Sequence, residues 1–585
     1  MTNKQVVAAV LVAAGSLPGP VAADVSLGGI AVDLNGRPLA GAAIVLDAAG
    51  GRQGADFVTV FTGEDGRYSF PEPVADTAAA NVTLRRAGYR QVGSSAAADG
   101  DDVFVTLIAG AAGNVADTAP ASAWLARMSD RAEKSSFVLN CVGCHQVPSA
   151  AVRDYAGLVA DAGGLARPEV RRQSWLSITR YMNYLSGWEF GRANTGGPPD
   201  TAHAYSVGPG EAVAATMASH FTDALGELPG YEYGAPLAVT PDTVIREYAV
   251  PGVNAVREAM MLGSPPKLWV ADVATNRMFA IDVGTGAQEV HEVPFDGVSG
   301  PHSLHRSADG SLWITPLFDS VIARLDPVEE SWRTWPTRTT DGTPLGIHDL
   351  SFGAAHELLA DEAGRIWYSD IRNNAVGYFD PERDDAAIIR VPDVEGRDAA
   401  GAMLYGLVMT SDRRHVWFSQ LGIGTFGNYN IGTGEFETRV VLPDPSSGPR
   451  RLTISDDDVM YVPLYGSGQL VEYDTRSRRQ IGMYDLPDTG SAPYAATWDP
   501  VRRVVWIATS NADAIYRFDP ADKTFGVIPM PRAGAFLRMI DIDPETGVLV
   551  TSYGNIIEFV PGPRMALIVD PGDGAYAKMR PGGGP

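Results

Sequence analysis

A strand phrase centred on a large apolar residue, most often tryptophan, recurs seven times through the C-terminal half of the chain. Short alternating apolar runs broken by Asn-Gly and Asp-Gly turns open it, and a stretch of helical periodicity lies between. Together these observations predict a multidomain, mainly β fold: a β-sandwich, an all-α unit and a seven-bladed β-propeller. At 585 residues the chain exceeds what one hydrophobic core organises, so about three domains are expected. Apolar residues at 45%, with 64 Gly and 41 Pro, suit a globular, turn-rich protein rather than a disordered one.

Residues 1–23 read as a signal peptide. Lys4 supplies the positive start, Val6 to Ala14 the apolar core, and Val21-Ala22-Ala23 a small-residue cleavage site before Asp24. That apolar run is too short to span a bilayer, and no later run approaches the ~20 residues needed, so a periplasmic protein without a membrane span is expected. The net charge of −24 argues against nucleic acid and anionic membranes as partners. It suits solubility, or docking of a basic, soluble periplasmic redox partner.

Residues 24–110 alternate short strands with turns: Gly29 to Asp33, Ala43 to Leu46, Arg67 to Phe70 and Val103 to Ile108, separated by Asn35-Gly36 and Asp65-Gly66. Period-two alternation with these turns is the hairpin signal of a sandwich. The phrases running from Gly29 to Ala42 and from Asp65 to Phe70 resemble carboxypeptidase regulatory-like domains, which implies a spacer or docking module. An Ala/Gly/Asp-rich linker, 111–121, follows.

Residues 122–235 turn helical, with segments at Trp124 to Val138, Pro168 to Leu185 and Pro209 to Leu225. The first ends in Cys141-Val142-Gly143-Cys144-His145, and these are the chain's only two cysteines. Cys-x-x-Cys-His is the attachment site of a c-type haem: two thiols bind the porphyrin covalently and the histidine ligates the iron. A thioredoxin-type pair lacks its βαβ context here, and a zinc site lacks two further ligands. One covalent haem c is therefore the expected cofactor. Three helices around it resemble a class I cytochrome c domain. The sixth iron ligand is open among Met182, whose spacing from Trp175 resembles the ligand helix of such domains, Met217, His203 and His220.

From 240 to 565 the chain repeats, and 566–585 is expected to be a flexible tail. The strand phrase has anchors at Trp269, Trp313, Trp367, Trp417, Tyr461, Trp506 and Leu549, and four strands per repeat of this length describe a propeller blade. Val244 to Pro251 matches a fourth strand and is expected to close the ring as the outer strand of the seventh blade. Strand one of a blade lines the axis and the anchor lies on strand two. Eleven residues before each anchor stand Glu258, His302, His356, Gly406, Arg450, Ala495 and Arg538. Charged and imidazole groups at positions that would ordinarily be apolar mark the mouth of the channel as the candidate site. Asp272, Asp370 and Gln420, three past their anchors, are expected at the same end. So are the two longest connections, Thr337 to Phe352 (with His348 and Asp349) and Pro392 to Met403. A water-filled channel lined with polar residues is the plain alternative.

Gly300-Pro301-His302-Ser303-Leu304 before Asp309 to Trp313, and Ala355-His356-Glu357-Leu358 before Gly364 to Asp370, resemble the repeat of virginiamycin B (streptogramin) lyase. That resemblance implies an axial histidine base, acidic neighbours and a bound Mg2+. It matches His302 and His356 to the axial histidines and Asp370 to an acidic metal-holding group, while Ala354 stands where the lyase has a glutamate. Three functions follow as expectations. The first is an oxidoreductase whose propeller binds a small organic substrate: His302 or His356 takes a proton, Arg450 and Arg538 hold a carboxylate or oxyanion, and the haem carries electrons away. The second is a lyase using His302 or His356 with Glu258, Glu357 and Asp370. The third is an electron-transfer protein whose propeller only docks a partner.

Overall fold

The computed structural model describes residues 25–574 apart from 48–54, 74–80, 100–101, 196–209, 223–224, 229–241, 296–299, 317–320, 337–354, 398–400, 555–563 and single positions that include Cys144. The expected signal peptide, His203, the loop carrying His348 and Asp349, and 575–585 of the expected tail lie outside the described residues; the start of that tail is no flexible segment, since Met565–Asp570 is a buried strand.

The protein is mainly β, with a propeller. Six four-stranded antiparallel sheets follow one another, spanning 256–292, 301–336, 355–390, 404–441, 453–485 and 493–529. In each, strand two carries the anchor, and Trp269, Trp313, Trp367, Trp417, Tyr461 and Trp506 are all buried between neighbouring sheets. Sequence supports this directly. Each anchor sits between apolar residues on both faces, as a strand covered on both sides demands.

Seven separate blades were expected, and six stand alone. The last anchor, Leu549, falls on Leu549–Ser552 within an eleven-stranded sheet, beside Asp541–Ile542 and Met565–Asp570. Val244–Ala249 pairs antiparallel with Met565–Asp570, with Ile245 opposite Val569, so the N-terminal segment does join the C-terminal strands. It is not the outer edge, however. Its other side pairs with Phe57–Phe61, Val58 opposite Arg246, and the sheet runs on through the N-terminal strands. The region read as a free-standing sandwich is therefore hydrogen-bonded edge to edge onto the propeller. This pairing covers an open edge that would otherwise invite association with other chains. Two ion pairs accompany it, Arg246 with Glu72 at 2.8 Å and Arg85 with Asp513 at 2.9 Å.

Five helices are described: α1 (Ser122–Leu125), α2 (Arg131–Cys141), α3 (Ala150–Asp161), α4 (Pro168–Thr195) and α5 (Gly210–His220). The first expected helix is broken in two, and α3 was not anticipated. Asp130 caps α2 by accepting from the Glu133 amide at 3.0 Å, so α2 restarts after the 126–130 break rather than continuing α1. The helices do not close a core of their own. Trp124, Phe137, Val138, Trp175, Met217 and Phe221 share one apolar cluster with Tyr405, Leu421, Tyr465 and Tyr494 of the propeller. Among the described residues no helix is long and apolar enough to cross a membrane.

Candidate functional site at the propeller axis

In five blades the ladder between strands one and two slips at its axial end: between Val270 and Asp272, Pro301 and Ser303, Ala355 and Leu358, Leu404 and Leu407, and Pro493 and Ala495. A bulge sets two residues against one and breaks the alternation of faces, so consecutive side chains can both reach the interior. A recurring hydroxyl fixes this kink. Two residues past the anchor, Thr315, Ser369 and Ser419 accept the strand-one amides of Ser303, Glu357 and Gly406 at 2.9–3.2 Å. The same hydroxyls donate to the carbonyls of His356, Tyr405 and Arg450 in the next blade at 2.6–3.1 Å. Each of these three blades thus positions the axial residue of its neighbour.

The axis gathers more than the sequence indicated. His302 and His356 are brought together, with ring centroids 4.7 Å apart. Arg450 and Arg538 join them, and so do Arg257, Arg451, Tyr405 and Tyr494, which sit one residue away from the positions counted back from the anchors. All are buried. Burial holds both imidazoles well below their usual value, and the neighbouring guanidinium groups push the same way, so both rings are neutral.

The two histidines differ in what they can do. The Arg257 guanidinium donates to Nε2 of His302, and the His302 Nδ1–H faces Ser303 Oγ at 2.9 Å. The basic nitrogen of His302 is thereby occupied. His356 stacks on Tyr405 with centroids 4.0 Å apart, its ring meets the Tyr405 backbone, and no side chain among the described residues hydrogen-bonds either ring nitrogen. It is the better placed proton acceptor.

The expected acids are already committed. Arg451 reaches Glu258 at 2.5 Å and Glu357 at 3.2 Å, and donates to Ser303 Oγ at 2.6 Å. Glu258 also accepts the Leu304 amide at 2.9 Å. Asp370 accepts from the Asn373 amide and side chain at 2.9 and 2.7 Å, which makes it the cap of the turn after strand two. Asp272 caps the matching turn through Ala274 and Thr275. Mg2+ wants several oxygen ligands in near-octahedral array. These residues do not fit that demand: their carboxylates are held by an arginine or by turn donors. The described residues that could converge on a cation, Glu289, His291 and Glu330, lie elsewhere, and Lys267 pairs with Glu289 at 2.6 Å.

The Cys-x-x-Cys-His segment lies against this same mouth. Arg538 donates through Nη2 to the Gly143 carbonyl at 3.0 Å while its Nη1 faces Tyr494 Oη at 3.4 Å. Tyr465 donates to the Val142 carbonyl. Gln146 donates to Asp513 at 2.8 Å, and Asn511 holds the backbone of Val147 from both sides, at 2.9 and 3.2 Å. Helix α2 is anchored by a two-pronged Arg131–Asp485 pair at 2.7 and 2.8 Å. Gly466 allows its close approach: a Cβ there would come within 2.9 Å of the Ser135 carbonyl.

Of the motif, Cys141 and His145 are described, and the histidine is in the form that ligating a haem iron requires. His145 is buried and its Nδ1 faces the Gln146 carbonyl at 2.6 Å. A carbonyl only accepts, so Nδ1 carries the proton and Nε2 keeps the lone pair a metal needs. Burial holds His145 below its usual value, hence neutral. The Cys141 thiol packs against the core, and burial pushes it up to about 12. Cys144 lies outside the described residues. Of the expected sixth ligands, Met217 is buried in the helical core and Met182 is only half-buried on α4. His220 is engaged with Glu133 at 2.8 Å.

No protein-family model matches the chain, and no curated protein matches it. Among solved structures it is similar to virginiamycin B lyase from Staphylococcus aureus, at 16% identity and a TM-score of 0.46 over 56% of this chain and 99% of that one. It is similar to a streptogramin B lyase at 16% and 0.46, over 56% and 97%. A catalytically inactive variant of the staphylococcal lyase with quinupristin gives 17% and 0.46, over 56% and 99%. At these identities the likeness reaches no further than the propeller fold.

Proposed function

We propose that the protein is a periplasmic c-type haem oxidoreductase that acts on a small anionic organic substrate held at the propeller axis. One observation carries this reading: Arg538 joins the two sites, with one guanidinium nitrogen on the axial tyrosine and the other on Gly143 inside Cys-x-x-Cys-His. Cys141, Cys144 and His145 would hold the haem, and Met217 or Met182 would complete the iron. When bound, the haem would supply a one-electron acceptor that a soluble partner reoxidises.

The chain's own residues would do the rest. Arg257, Arg450 and Arg538 would draw in and orient an anion, since guanidinium groups match carboxylate and phosphate geometry. His356 would take the substrate proton, its neutral ring being in the accepting form. The charge of a bound anion nearby would raise its affinity for that proton. His302, tied to Arg257 and Ser303, would position rather than react. The helices packed over the mouth would exclude water from this chemistry. The N-terminal region, read as a regulatory-like domain, would serve as the strap that covers the propeller edge.

A lyase is the second reading, favoured by the neutral imidazole pair, which serves proton abstraction with or without net oxidation. The test uses the mature chain. A haem-stained band after denaturing electrophoresis is expected, followed by bleaching of the oxidised Soret band when a carboxylate-bearing substrate is turned over. Absence of the stained band overturns the redox reading. Product formed with an unchanged Soret band establishes the lyase.

A further inference from the structure

Two buried phenols and three cations meet on the axis. Tyr494 Oη lies 2.5 Å from Tyr405 Oη, 3.3 Å from Arg257 Nη2 and 3.4 Å from Arg538 Nη1. Arg450 donates to Tyr405 Oη at 2.9 Å, and its guanidinium carbon lies over the Tyr494 ring, 3.6 Å from the centroid. Every one of these side chains is at most 2% exposed.

Tyr494 Oη faces two guanidinium groups directly as well as the Tyr405 hydroxyl, and a third guanidinium reaches Tyr405 Oη, an excess of donors that a phenolate oxygen satisfies better than a phenol. The surrounding charge argues the same way. Arg451, 5.8 Å from the Tyr494 ring, is matched by Glu258 and Glu357. The imidazoles of His302 and His356 are neutral, and Tyr465 is a phenol that burial keeps protonated. Burial alone would raise Tyr494, but the guanidinium groups of Arg450, Arg257, Arg538 and Arg451 outweigh it and hold the phenol well below its ordinary value. A ligand's place is also marked. Arg257 Nε and Nη1 are buried and without partners among the described residues, and the buried ring nitrogens of His356 have no side-chain partner there.

We propose that Tyr405 and Tyr494 share one proton, so that Tyr494 is the resident anion of the arginine cage, and that the cage exchanges this charge for that of a small carboxylate. As the carboxylate enters, the phenolate takes one proton from solvent and becomes a phenol, and as the carboxylate leaves, that proton is released. The net charge of the cage is the same in both states, so an anion can bind in a buried site without adding to it. This deepens the axial-site reading by naming the ligand class and the group that compensates it.

The test uses the full mature chain labelled with carbon-13 at the tyrosine ζ carbon, with any haem reduced by dithionite. At neutral pH one of the 21 tyrosines should give a phenolate resonance, lost in Tyr494→Phe and kept in Tyr405→Phe. Added benzoate should convert that resonance to a phenol, and calorimetry in two buffers should show about one proton taken up per benzoate bound. If all tyrosines are phenols at neutral pH, or if benzoate fails to bind or binds with no proton uptake, the proposal is overturned. The haem assay is separate. A missing haem stain with the phenolate present removes the redox function and leaves this pair, and the reverse result removes the pair alone.

Discussion

Asn511 is the residue to change if the helical segment and the propeller work as one unit. Its side chain is fully buried and behaves like a piece of strand. Oδ1 accepts the Val147 amide at 2.9 Å, and Nδ2 donates to the carbonyls of Val147 and Gly490, each at 3.2 Å. Asn511→Ala leaves those three backbone groups in the interface without partners. Each buried orphan costs ~1–3 kcal/mol, so the sum lies between roughly 3 and 9 kcal/mol. The lower end is expected, because the space vacated by a carboxamide admits a water able to bridge two of the groups. A loss of about 3 kcal/mol in docking opens the interface about two orders of magnitude more often. Hydrogen exchange should therefore quicken by that factor across 142–152, while the strand Val504–Thr509 keeps its protection. Asn511→Asp keeps the acceptor and loses both donors, so it should fall between. Exchange in 142–152 that changes less than about threefold in Asn511→Ala would refute the reasoning, because the contact would then contribute almost nothing.

Three more outcomes follow from the axis. His356→Ala should lower turnover by about 10²–10⁴, the usual contribution of a general base, with the haem spectrum intact, and His302→Ala should cost less; equal losses in steady-state assays would return His302 to the role of base. Glu357 is pushed up to about 7 by burial from an ordinary 4.5, against the pull of Arg451. Its folded value exceeds its unfolded one, so it favours the fold below about pH 4.5 and that contribution is lost as pH rises to about 7, by at most about 3 kcal/mol. Urea midpoints of the wild type should drop relative to Glu357→Gln over that window, and parallel curves would sink the point. Ser369→Ala orphans the Glu357 amide, at ~1–3 kcal/mol, and takes one donor from the Tyr405 carbonyl, at ~1 kcal/mol, so it should lower the unfolding free energy measured in urea by about 2–4 kcal/mol.

Periodicity made the blades legible because it reports burial on both faces of strand two, and that is a local property. Trp269, Trp313 and Trp367 announce themselves wherever they fall. The fate of the last four strands was not local. Whether Val244–Ala249 is an edge depends on Phe57–Phe61, nearly two hundred residues away, and nothing in either strand's own pattern reveals the partner. The break between α1 and α2 was legible in principle, since Asp130 stands three before Glu133 as a capping box, but the apolar spacing across it masked the signal.

The axial site shows why counting along a strand finds half of a buried polar cluster. Stepping back eleven residues assumes an unbroken two-residue period, and on that assumption Glu258 and Arg450 line the channel while Arg257 and Arg451 face away. The bulges remove the assumption. With two residues set against one, Arg257 and Glu258 both turn inward; Arg450 and Arg451 do so for a different reason, standing ahead of the short strand Thr453–Ile454, with Arg451 bridged to Ala495 of the next blade, and the cage doubles its charge. A signal of the kink was present in the repeated phrase, as the hydroxyl two past the anchor in three consecutive blades: Thr315, Ser369 and Ser419. A hydroxyl at a strand position buried on both faces has no neutral explanation, because it must find partners or destabilise the sheet. Here the partners are a bulged amide in its own blade and an axial carbonyl in the next. A buried Ser or Thr repeating in register with the anchor therefore points to the kink, the kink to paired inward residues, and those residues to the chemistry of the axis.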